Sequence, residues 1–489
     1  MRALVPNEVA RSGKGLELVA ALFLRGLGLV YACAFLSLWV QIEALIGARG
    51  IAPAAELLAF ARDRLGGSAP LALPTLLWIS GASDWALHGL CAFGVLAALA
   101  LVLGRAPFIA AFGAWLTYLS LACVGDVFTS FQWDALLLES GLVALFAASP
   151  EPRLGVWLAR ALLFKLMFLS GAVKLLSGDP TWRDLSALSY HFWTQPLPTP
   201  TSALAAALPG PVLRAATALT LAVELGAPWA VLGPRRVRLA SAALLAGLQV
   251  LIAATGNYGF FNLLTLVLCA SLLDDTDLAR LSWLRRPAHM ARGRIPLRVA
   301  AVALGLASAI VGLERLTPAS RFPNGLRLLV APLEPLRSVS SYGLFAVMTT
   351  ERPEISIEGS SDGVIWRAYE FRWKPGALER APRFAGPHMP RVDWQMWFAA
   401  LGRCEHELWF QRLLLRLLEG SPTVTGLLAS DPFAGEPPRF LRTTLERYRF
   451  ATRDEGHPGD WWTRSDAEPY CPIVTLRDGH LAAANELPR

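Results

Sequence analysis

Apolar residues in this chain are gathered into long, nearly unbroken blocks, and this feature constrains the fold more than any other. An α-helix needs about 17–25 predominantly apolar residues to cross a lipid bilayer, and several of the blocks reach that length. We therefore predict a polytopic α-helical membrane bundle of about eight or nine spans. The apolar blocks cover residues 16–38, 84–104, 107–124, 135–148, 156–176, 212–232, 239–253, 259–273 and 296–313.

Three of these blocks need separate comment, because two are shorter than a bilayer requires and one resembles a signal peptide. Blocks 135–148 and 259–273 are too short to span a bilayer as they stand, so we expect them to be half-buried or to extend into polar flanks. Block 16–38 follows basic residues, as the apolar region of a signal peptide does, but it is longer than such a region. It is therefore predicted to be the first span.

Composition supports a membrane protein. Only 17% of the residues are charged and the mean hydropathy is +0.42, whereas a soluble domain carries about 25% charged residues. The lipid bilayer is therefore an expected partner, and no nucleic-acid partner is expected.

Positive charges in the loops indicate the orientation, because cytoplasmic loops carry an excess of Lys and Arg. One set of alternate loops holds fourteen of these residues: Arg2, Arg11, Lys14, Arg105, Arg153, Arg235, Arg236, Arg238, Arg280, Arg285, Arg286, Arg292, Arg294 and Arg298. The opposite set holds four: Arg49, Arg62, Arg64 and Arg183. We predict a cytoplasmic N-terminus and, with an odd number of spans, an extracytoplasmic C-terminal part in the ER lumen or a bacterial periplasm.

Polar side chains are concentrated in the outer half of the predicted bundle. Lys165 and Lys174 are nine residues apart on one helix, so they lie on opposite faces and about 13 Å apart in depth. Ionisable groups in lipid usually have partners inside the bundle. We predict that Lys174 pairs with Asp134 or Glu139, and that Lys165 pairs with Glu224 near mid-membrane. The candidate outer cluster comprises Asp134, Glu139, Lys174, Trp182, Arg183, Asp184, His191, Gln195, Asn257 and Asn262.

Three interpretations of these charges remain open from the sequence. The pairs can hold the bundle together, they can take part in catalysis or substrate conduction, or the long side chains can extend to the membrane boundary. We favour the structural interpretation.

The character of the chain changes from about residue 338. The stretch "YGLFAVMTTERPEISIEGSSDGVIWRAYEF" contains strand-like runs on either side of the turn residues "SSDG". "RVDWQMWFAALG" and "CEHELWFQRLLLRLLEG" have helical patterns, and "PRFLRTTLERYRFAT" alternates like a strand. We predict a membrane domain at 1–320 and a β-rich α+β extracytoplasmic domain at 321–489.

Motifs for catalysis or cofactor binding are absent from the sequence. There is no serine elbow, no metal-type histidine cluster and no glycine-rich phosphate loop. We expect no catalytic residues, no metal and no cofactor. Of the six cysteines, Cys404 and Cys471 alone lie outside the apolar blocks, and in an oxidising compartment they could form a disulfide.

Several long motifs in one order resemble the lipase maturation factor family. They are "SFQWDALLLESG" (130–141), "PTWRDLSALSYHFWTQPLPTP" (180–200), "YGLFAVMTTERPEISIEGS" (342–360), "YEFRWKPG" (369–376) and "PHMPRVDWQMWFAAL" (387–401). The resemblance implies a multi-pass chaperone of the ER membrane whose lumenal domain engages a client protein such as a secreted lipase. Candidate client-contact residues are Tyr342, Glu351, Trp373, His388, Arg391, Asp393, Trp394 and Trp397.

A fainter resemblance links the membrane part to vitamin K-dependent γ-carboxylases. "FLSGAVKLLSGDPTWRDLSALSYHFW" is similar to a helix and loop of those enzymes, and Lys174 falls where they carry a catalytic base. The histidine that they place in the preceding outer loop has no counterpart in "SFQWD". A membrane-embedded enzyme with Lys174 as its base is therefore the alternative to a maturation factor, and a transporter is a more distant one.

Overall fold

A computed structural model describes residues 15–281, 283–284, 295–452 and 457–484. Seven of the fourteen residues used to predict orientation lie outside the described residues: Arg2, Arg11, Lys14, Arg285, Arg286, Arg292 and Arg294. The helices of the membrane part, joined by short 3₁₀ turns, are α1 (Glu17–Trp39), α2 (Ile42–Ile46), α3 (Ala54–Leu65), α4 (Ala69–Ala72), α5 (Leu77–Ser80), α6 (Asp84–Val102), α7 (Pro107–Val124), α8 (Gln132–Ala147), α9 (Pro152–Leu176), α10 (Pro180–Arg183), α11 (Ala187–Thr194), α12 (Pro200–Ala206), α13 (Gly210–Gly226), α14 (Arg235–Thr255), α15 (Phe261–Cys269), α16 (Asp275–Leu278), α17 (Ile295–Leu316) and α18 (Asn324–Val330).

Within the described residues, seven helices are long and apolar enough to cross a bilayer: α1, α6, α7, α9, α13 with its 3₁₀ continuation to Leu232, α14 and α17. Each coincides with one of the nine predicted blocks, which confirms the helical membrane bundle. The remaining two blocks are those already noted as short, and they form α8 and α15. Both lie between longer helices, where a helix contacts protein rather than lipid and need not match the bilayer thickness.

Helix α1 lies at the centre of the bundle and contacts α6, α8, α9 and α15. Its N-terminus is capped from far along the chain by Asp275, whose carboxylate accepts hydrogen bonds from the backbone N–H groups of Leu18 and Val19 at 2.9 and 3.2 Å. A carboxylate at this position satisfies otherwise unpaired donors and complements the helix dipole. The cap ties the start of α1 to the segment that follows α15.

Two segments without long helices pack on the bundle. The lid segment (residues 177–209) contains α10, α11 and α12 and packs on α13 and α14. The insertion segment (residues 337–348) has irregular backbone and enters the bundle beside α7 and α8. Irregular backbone is tolerated at membrane depth only where protein buries its polar groups, so the contacts of this segment decide where it can lie.

The C-terminal domain is a five-stranded antiparallel sheet with helices packed on it. Strand order is β2-β1-β3-β4-β5, and Ile357 of β1 lies opposite Tyr369 of β2 and Thr443 of β3. This arrangement confirms a β-rich C-terminal domain. Its elements are β1 (Pro353–Ser360), β2 (Arg367–Tyr369), α19 (Arg391–Ala400), α20 (Leu408–Leu418), α21 (Pro422–Thr425), β3 (Phe440–Phe450), β4 (Trp462–Arg477) and β5 (His480–Ala483).

The predicted strand pattern fails in one place and is modified in another. Residues 342–352 form no strand. The backbone groups of Gly343, Phe345 and Met348 bond to side chains of α8 and the lid segment instead of to a neighbouring strand. In β1, Ile355 and Ile357 are fully buried, but Glu354 on the opposite face is also buried. Glu354 is neutralised there by Arg352 at 2.6 Å and Lys374 at 3.0 Å.

Cys404 and Cys471 form a disulfide between the start of the α20 region and β4, with 67 residues of sequence separation. The bond fastens α20 to the sheet beside the packed rings of Phe410 and Tyr470, which lie 5.5 Å apart. Cross-links that close loops of this length stabilise the folded state by about 2–4 kcal/mol, because they restrict the unfolded chain.

We expect the native full-length protein to gain two alkylatable thiols on reduction. Intact-mass analysis after maleimide labelling in denaturant, with and without prior reduction, measures this gain. The Cys404→Ser variant should label Cys471 without reduction and should unfold at a lower temperature. Equal labelling of the native protein before and after reduction would contradict the bond.

Candidate functional site

Buried polar side chains join the bundle, the lid segment and the C-terminal domain, and the residues predicted from the sequence form three ion pairs and one hydrogen-bonded cluster among them. In each ion pair, both charged residues are at least nine-tenths buried. Buried charges of this kind are costly unless they are paired and hydrogen-bonded. The partners of each group therefore determine what the site can do.

The first pair joins α8 of the bundle to α19 of the C-terminal domain. The guanidinium of Arg391 donates to both carboxylate oxygens of Asp134, at 2.8 and 2.9 Å, and also to the carbonyl of Phe128. Tyr118 donates its hydroxyl to the same carboxylate at 2.5 Å. Arg391 is fully buried and Asp134 is 1% exposed. The planar fork of arginine suits this two-point contact, and it fixes the angle at which α19 meets the bundle.

The second pair contains Lys165 of α9 and Glu139 of α8, at 2.5 Å. The same carboxylate accepts hydrogen bonds from the hydroxyls of Tyr342 at 2.6 Å and Ser308 at 3.0 Å, and from the backbone N–H of Ser340 at 3.3 Å. Glu139 lies seven residues into α8, or about 10 Å below the end of that helix. Together with Trp115 and Gln132, it holds the insertion segment inside the bundle.

The third pair contains Lys174 of α9 and Glu224 of α13. The ammonium lies 2.6 Å from each carboxylate oxygen and 5.1 Å from the ring centre of Trp182 in the lid segment. Lys174 and Glu224 are each 5% exposed. The pair ties α9, α13 and the lid segment together.

The predicted pairing of these charges is therefore wrong in both cases. Lys174 contacts neither Asp134 nor Glu139, and Lys165 does not pair with Glu224. The opposite-face relation of the two lysines is correct, but depth alone does not reveal which neighbour each face meets. Lys165 faces α8, while Lys174 faces α13.

The fourth cluster is formed by neutral groups where the lid segment meets the loop after α14. Tyr258 donates to the side-chain oxygen of Gln195 at 2.8 Å and lies 3.2 Å from Nε2 of His191. Burial, and secondarily the charge of Lys174, lowers the pKa of His191 to about 4. A neutral histidine at ordinary pH is a hydrogen-bonding group here and not a cation.

The adjoining loop contributes two asparagines from the predicted cluster. The amide of Asn257 donates to the carbonyls of Leu197 at 3.2 Å and Arg383 at 2.8 Å, so it connects the lid segment to the C-terminal domain. Asn262 donates to Gln249 of α14 at 2.9 Å. Gly259 between them has φ +56°, and a Cβ there would lie 2.9 Å from the sulfur of Met389. Glycine is needed both for this backbone conformation and for the close approach.

Two residues of the predicted cluster do not belong to it. Arg183 and Asp184 are exposed on the lid segment, and the Asp184 carboxylate accepts a hydrogen bond from the backbone of Ser186. They lie at the end of a helix of one turn, where side chains meet solvent. They were predicted to belong to the cluster because they directly follow Trp182 in the sequence.

The eight candidate client-contact residues divide into buried and accessible groups. The prediction of client contact is wrong for five, because they are buried against the rest of the protein: Tyr342, Arg391, Asp393, Trp394 and Trp397. The indole N–H groups of Trp394 and Trp397 donate to carbonyls of Asn257 and Thr194, at 3.1 and 2.8 Å. These tryptophans anchor α19 on the lid segment and on the loop after α14.

Asp393 is a structural carboxylate. It accepts hydrogen bonds from the backbone N–H groups of Trp373 at 2.8 Å and Lys374 at 3.0 Å. Burial raises its pKa in spite of these two donors. Asp393 thereby holds the turn that carries Trp373.

Glu351, Trp373 and His388 remain accessible, and two of them are neighbours. The rings of Trp373 and His388 are 5.9 Å apart, and both side chains are half-buried. Burial and then the charges of Arg391 and Arg372 lower the pKa of His388 to about 4. Glu351 lies apart from them and pairs with Arg447 at 3.0 Å on the sheet surface.

The sequence-based prediction missed one buried charged residue that connects the C-terminal domain to the lid segment. Arg352 is fully buried and donates to the carbonyls of Trp193 and Pro196 in the lid segment, at 3.0 and 2.8 Å. Together with Glu354 and Lys374 it forms a charged triad between sheet and lid segment. The signal was present in "TERPEISIEG", where charges surround a strand that has one clearly buried face.

The chemistry open to these residues is limited by their pairing. Among the described residues, no group of three or more His, Cys, Asp and Glu side chains is arranged to hold a metal ion. Each of the three cations in the ion pairs is engaged by a carboxylate within 3 Å. The arrangement is suited to locking helices, lid segment and C-terminal domain into one body.

Comparison with known proteins gives matches across the chain. Residues 18–280 match the lipase maturation factor transmembrane domain, and residues 338–472 match the lipase maturation factor C-terminal domain. The chain is 35% identical to lipase maturation factor 2 of Homo sapiens, with 96% of this chain and 84% of that protein covered. It is 32% identical to lipase maturation factor 1 of Bos taurus, with 94% and 90% covered. No solved structure matches it.

Proposed function

Because this chain belongs to the lipase maturation factor family, we propose that it is a membrane-embedded chaperone that assists folding or assembly of a secreted client such as a lipase. The client is engaged by the C-terminal domain, and no covalent step on the client is involved. For this role we divide the chain into a membrane unit at 1–320 and a client-handling unit at 321–489. Residues 324–348 attach the second unit to the first.

The observation that carries this proposal over an enzyme is the environment of Lys174. Its ammonium is held 2.6 Å from both oxygens of Glu224, with the face of Trp182 on another side. A general base must present a free nitrogen to its substrate within about 3 Å. A lysine held between a carboxylate and an indole instead has the geometry of a residue that stabilises the fold.

We further propose that the C-terminal domain lies in the ER lumen, or in the periplasm of a bacterial cell, with the N-terminus in the cytoplasm. The excess of arginine and lysine in one set of loops supports this orientation. The bond between Cys404 and Cys471 supports it as well, because disulfides persist in oxidising compartments. Secreted clients fold in those same compartments.

The client-contact surface that we propose centres on Trp373 and His388. Half-buried aromatic residues on a rigid support are typical energetic centres of protein interfaces. The support here is rigid because Asp393 and Arg391, immediately behind these rings, are bound into the domain and the bundle. Phe384, on the same connecting stretch of chain, is 54% exposed and adds apolar area.

The test is a comparison of two tryptophan variants in cells deprived of their own lipase maturation factors. Trp373→Ala should reduce secreted lipase activity several-fold and weaken co-capture of the lipase, since a contact of this type contributes about 2 kcal/mol or more. Trp366→Ala is the matched control, because Trp366 is a half-buried tryptophan whose ring packs under Arg442 of β3. It should support normal secretion.

Both variants should accumulate to wild-type levels, which separates client contact from folding. An abundant Trp373→Ala protein that sustains full lipase secretion would contradict the proposed surface. A wild-type protein that never restores secretion of any lipase would contradict the proposed function itself.

A further inference from the structure

The membrane part contains a long apolar cleft that none of the contacts described so far occupies. It has a volume of about 510 Å³ and lies between α9, the 3₁₀ continuation of α13 and α17. Its walls include Phe164, Phe168, Trp229 and Leu313. Lys165 and Ser308 are the ionisable and hydroxyl-bearing members of its lining.

The two polar residues do not make the interior of the cleft polar. The ammonium of Lys165 and the hydroxyl of Ser308 both turn inward to the same oxygen of Glu139, at 2.5 and 3.0 Å. The aliphatic stem of Lys165 is what borders the cleft, since its Cγ and Cδ lie 3.8 Å from where a Cβ on Gly312 would be. The occupant must therefore be a hydrocarbon along most of its length.

The cleft opens toward the bilayer. Trp157, Trp229 and Leu313 on its rim are 47%, 57% and 55% exposed, and all three lie on membrane-spanning helices or the continuation of one. In a membrane these surfaces face lipid, so hydrocarbon chains have direct access from the side.

The length of the cleft fits a single hydrocarbon chain. The cleft follows α9 from Trp157 to Leu169, which corresponds to about 18 Å, close to the roughly 15 Å hydrocarbon thickness of one leaflet.

A polar anchor lies at one end of the cleft. Arg153 is exposed one helical turn before Trp157, on the same face of α9. Arg160 packs against the ring of Trp157 at 4.9 Å and binds the carbonyls of Ser271 and Leu273. Tryptophan and arginine together are typical of the membrane boundary, where a phosphate can meet the free guanidinium of Arg153.

We propose that this cleft binds one acyl chain of a membrane phospholipid, with the phosphate at the Arg153 end and the methyl end near Leu313. The site is independent of the proposed client function. The bound chain completes the packing between α17 and the rest of the bundle and keeps water away from the pair of Lys165 and Glu139.

The test uses the full-length protein in nanodiscs that contain a phospholipid with a photoactivatable diazirine in one acyl chain. Two probes are compared, one with the diazirine near the ester and one near the methyl end. We expect the first to label peptides around Trp157 and the second to label peptides around Phe168 and Leu313, as read by mass spectrometry.

A variant whose cleft is filled by larger side chains provides the decisive comparison. In the double variant Gly305→Leu with Gly312→Leu, the added side chains enter the cleft, because each Cβ itself would have only ordinary contacts at 3.8–3.9 Å. Labelling of the cleft should fall about tenfold or more. Gly247→Leu, on the open face of α14, is the matched control and should label as the wild type does. If the double variant does not fold, Leu313→Trp narrows the mouth and should give the same loss.

Three outcomes would overturn the proposal. The first is equal labelling of the filled and wild-type proteins, and the second is a reversed order of the two probes. The third is displacement of the phospholipid probe by an equal concentration of free fatty acid, which would show that the headgroup is not used. Cross-linking of a polypeptide in place of the lipid would assign the cleft to a protein partner and would equally exclude the lipid.

Discussion

The Arg391→Met variant is expected to lose most of its folded protein. The substitution leaves the carboxylate of Asp134, 1% exposed, without its cationic partner. Removing one member of a buried ion pair costs about 3–5 kcal/mol, because the remaining charge is uncompensated. That loss is a large fraction of the free energy of unfolding of an ordinary domain, about 5–15 kcal/mol. Fluorescence-detected size-exclusion chromatography after a thermal challenge measures it.

Two companion variants distinguish the ion pair from a general intolerance of change. Adding Asp134→Asn to Arg391→Met removes the stranded charge, and the hydroxyl of Tyr118 can still donate to the new amide oxygen, so abundance should recover in large part. Arg403→Met, at an exposed arginine of the same domain, should change stability by no more than about 0.5 kcal/mol. A single variant as stable as the wild type, or a double variant no better than the single, would refute this role for the pair.

Lys174→Met is expected to behave as a structural variant and not as a catalytic one. The change leaves Glu224 buried and unpaired, with a cost again of about 3–5 kcal/mol. The folded protein should become scarce, and Glu224→Gln alone should have a similar effect. The combination of both changes should restore much of the abundance and, with it, lipase secretion.

The opposite pattern would support the alternative hypothesis, an enzyme that uses Lys174 as its base. A base that acts on a substrate can be removed without loss of the fold, so a catalytic Lys174 predicts an abundant, thermally stable and inactive Lys174→Met protein that no second change rescues. Arg214→Met, at an exposed position on α13, is the control for introducing methionine on that helix. Abundance and secreted lipase activity are measured together for all four variants.

The helices of the membrane part could be predicted from sequence because their signal is local. A block of apolar residues of spanning length specifies a helix in lipid whatever it packs against. The turn at "SSDG" and helix α19 were likewise predicted from short patterns. The short blocks that form α8 and α15 were identified as unusual, but their burial inside the bundle depends on contacts that a block does not contain.

The partners of the buried charges could not be predicted for two reasons. The partners are distant in sequence, and each pairing depends on which neighbouring element a given helix face contacts. Asp134 and Arg391 are separated by 257 residues, and no local pattern connects them. For Lys165 and Lys174, the depth in the helix was available from residue spacing, whereas the neighbour on each face was not. Strand alternation places Glu354 on the face opposite Ile355 and Ile357, and only the positions of Arg352 and Lys374 explain why it is buried.

The insertion segment has a consequence for biosynthesis. Glu139 receives the hydroxyl of Tyr342, which is synthesised 203 residues later, or roughly 10–40 s at translation rates of about 5–20 residues per second. During that interval the partly inserted bundle holds a carboxylate whose final ligands have not yet emerged from the ribosome. The bundle therefore reaches its native state only after the chain beyond α17 has been synthesised and has packed back against α8. A truncated chain that ends after the last span is an assembly intermediate, and quality control is expected to recognise it as one.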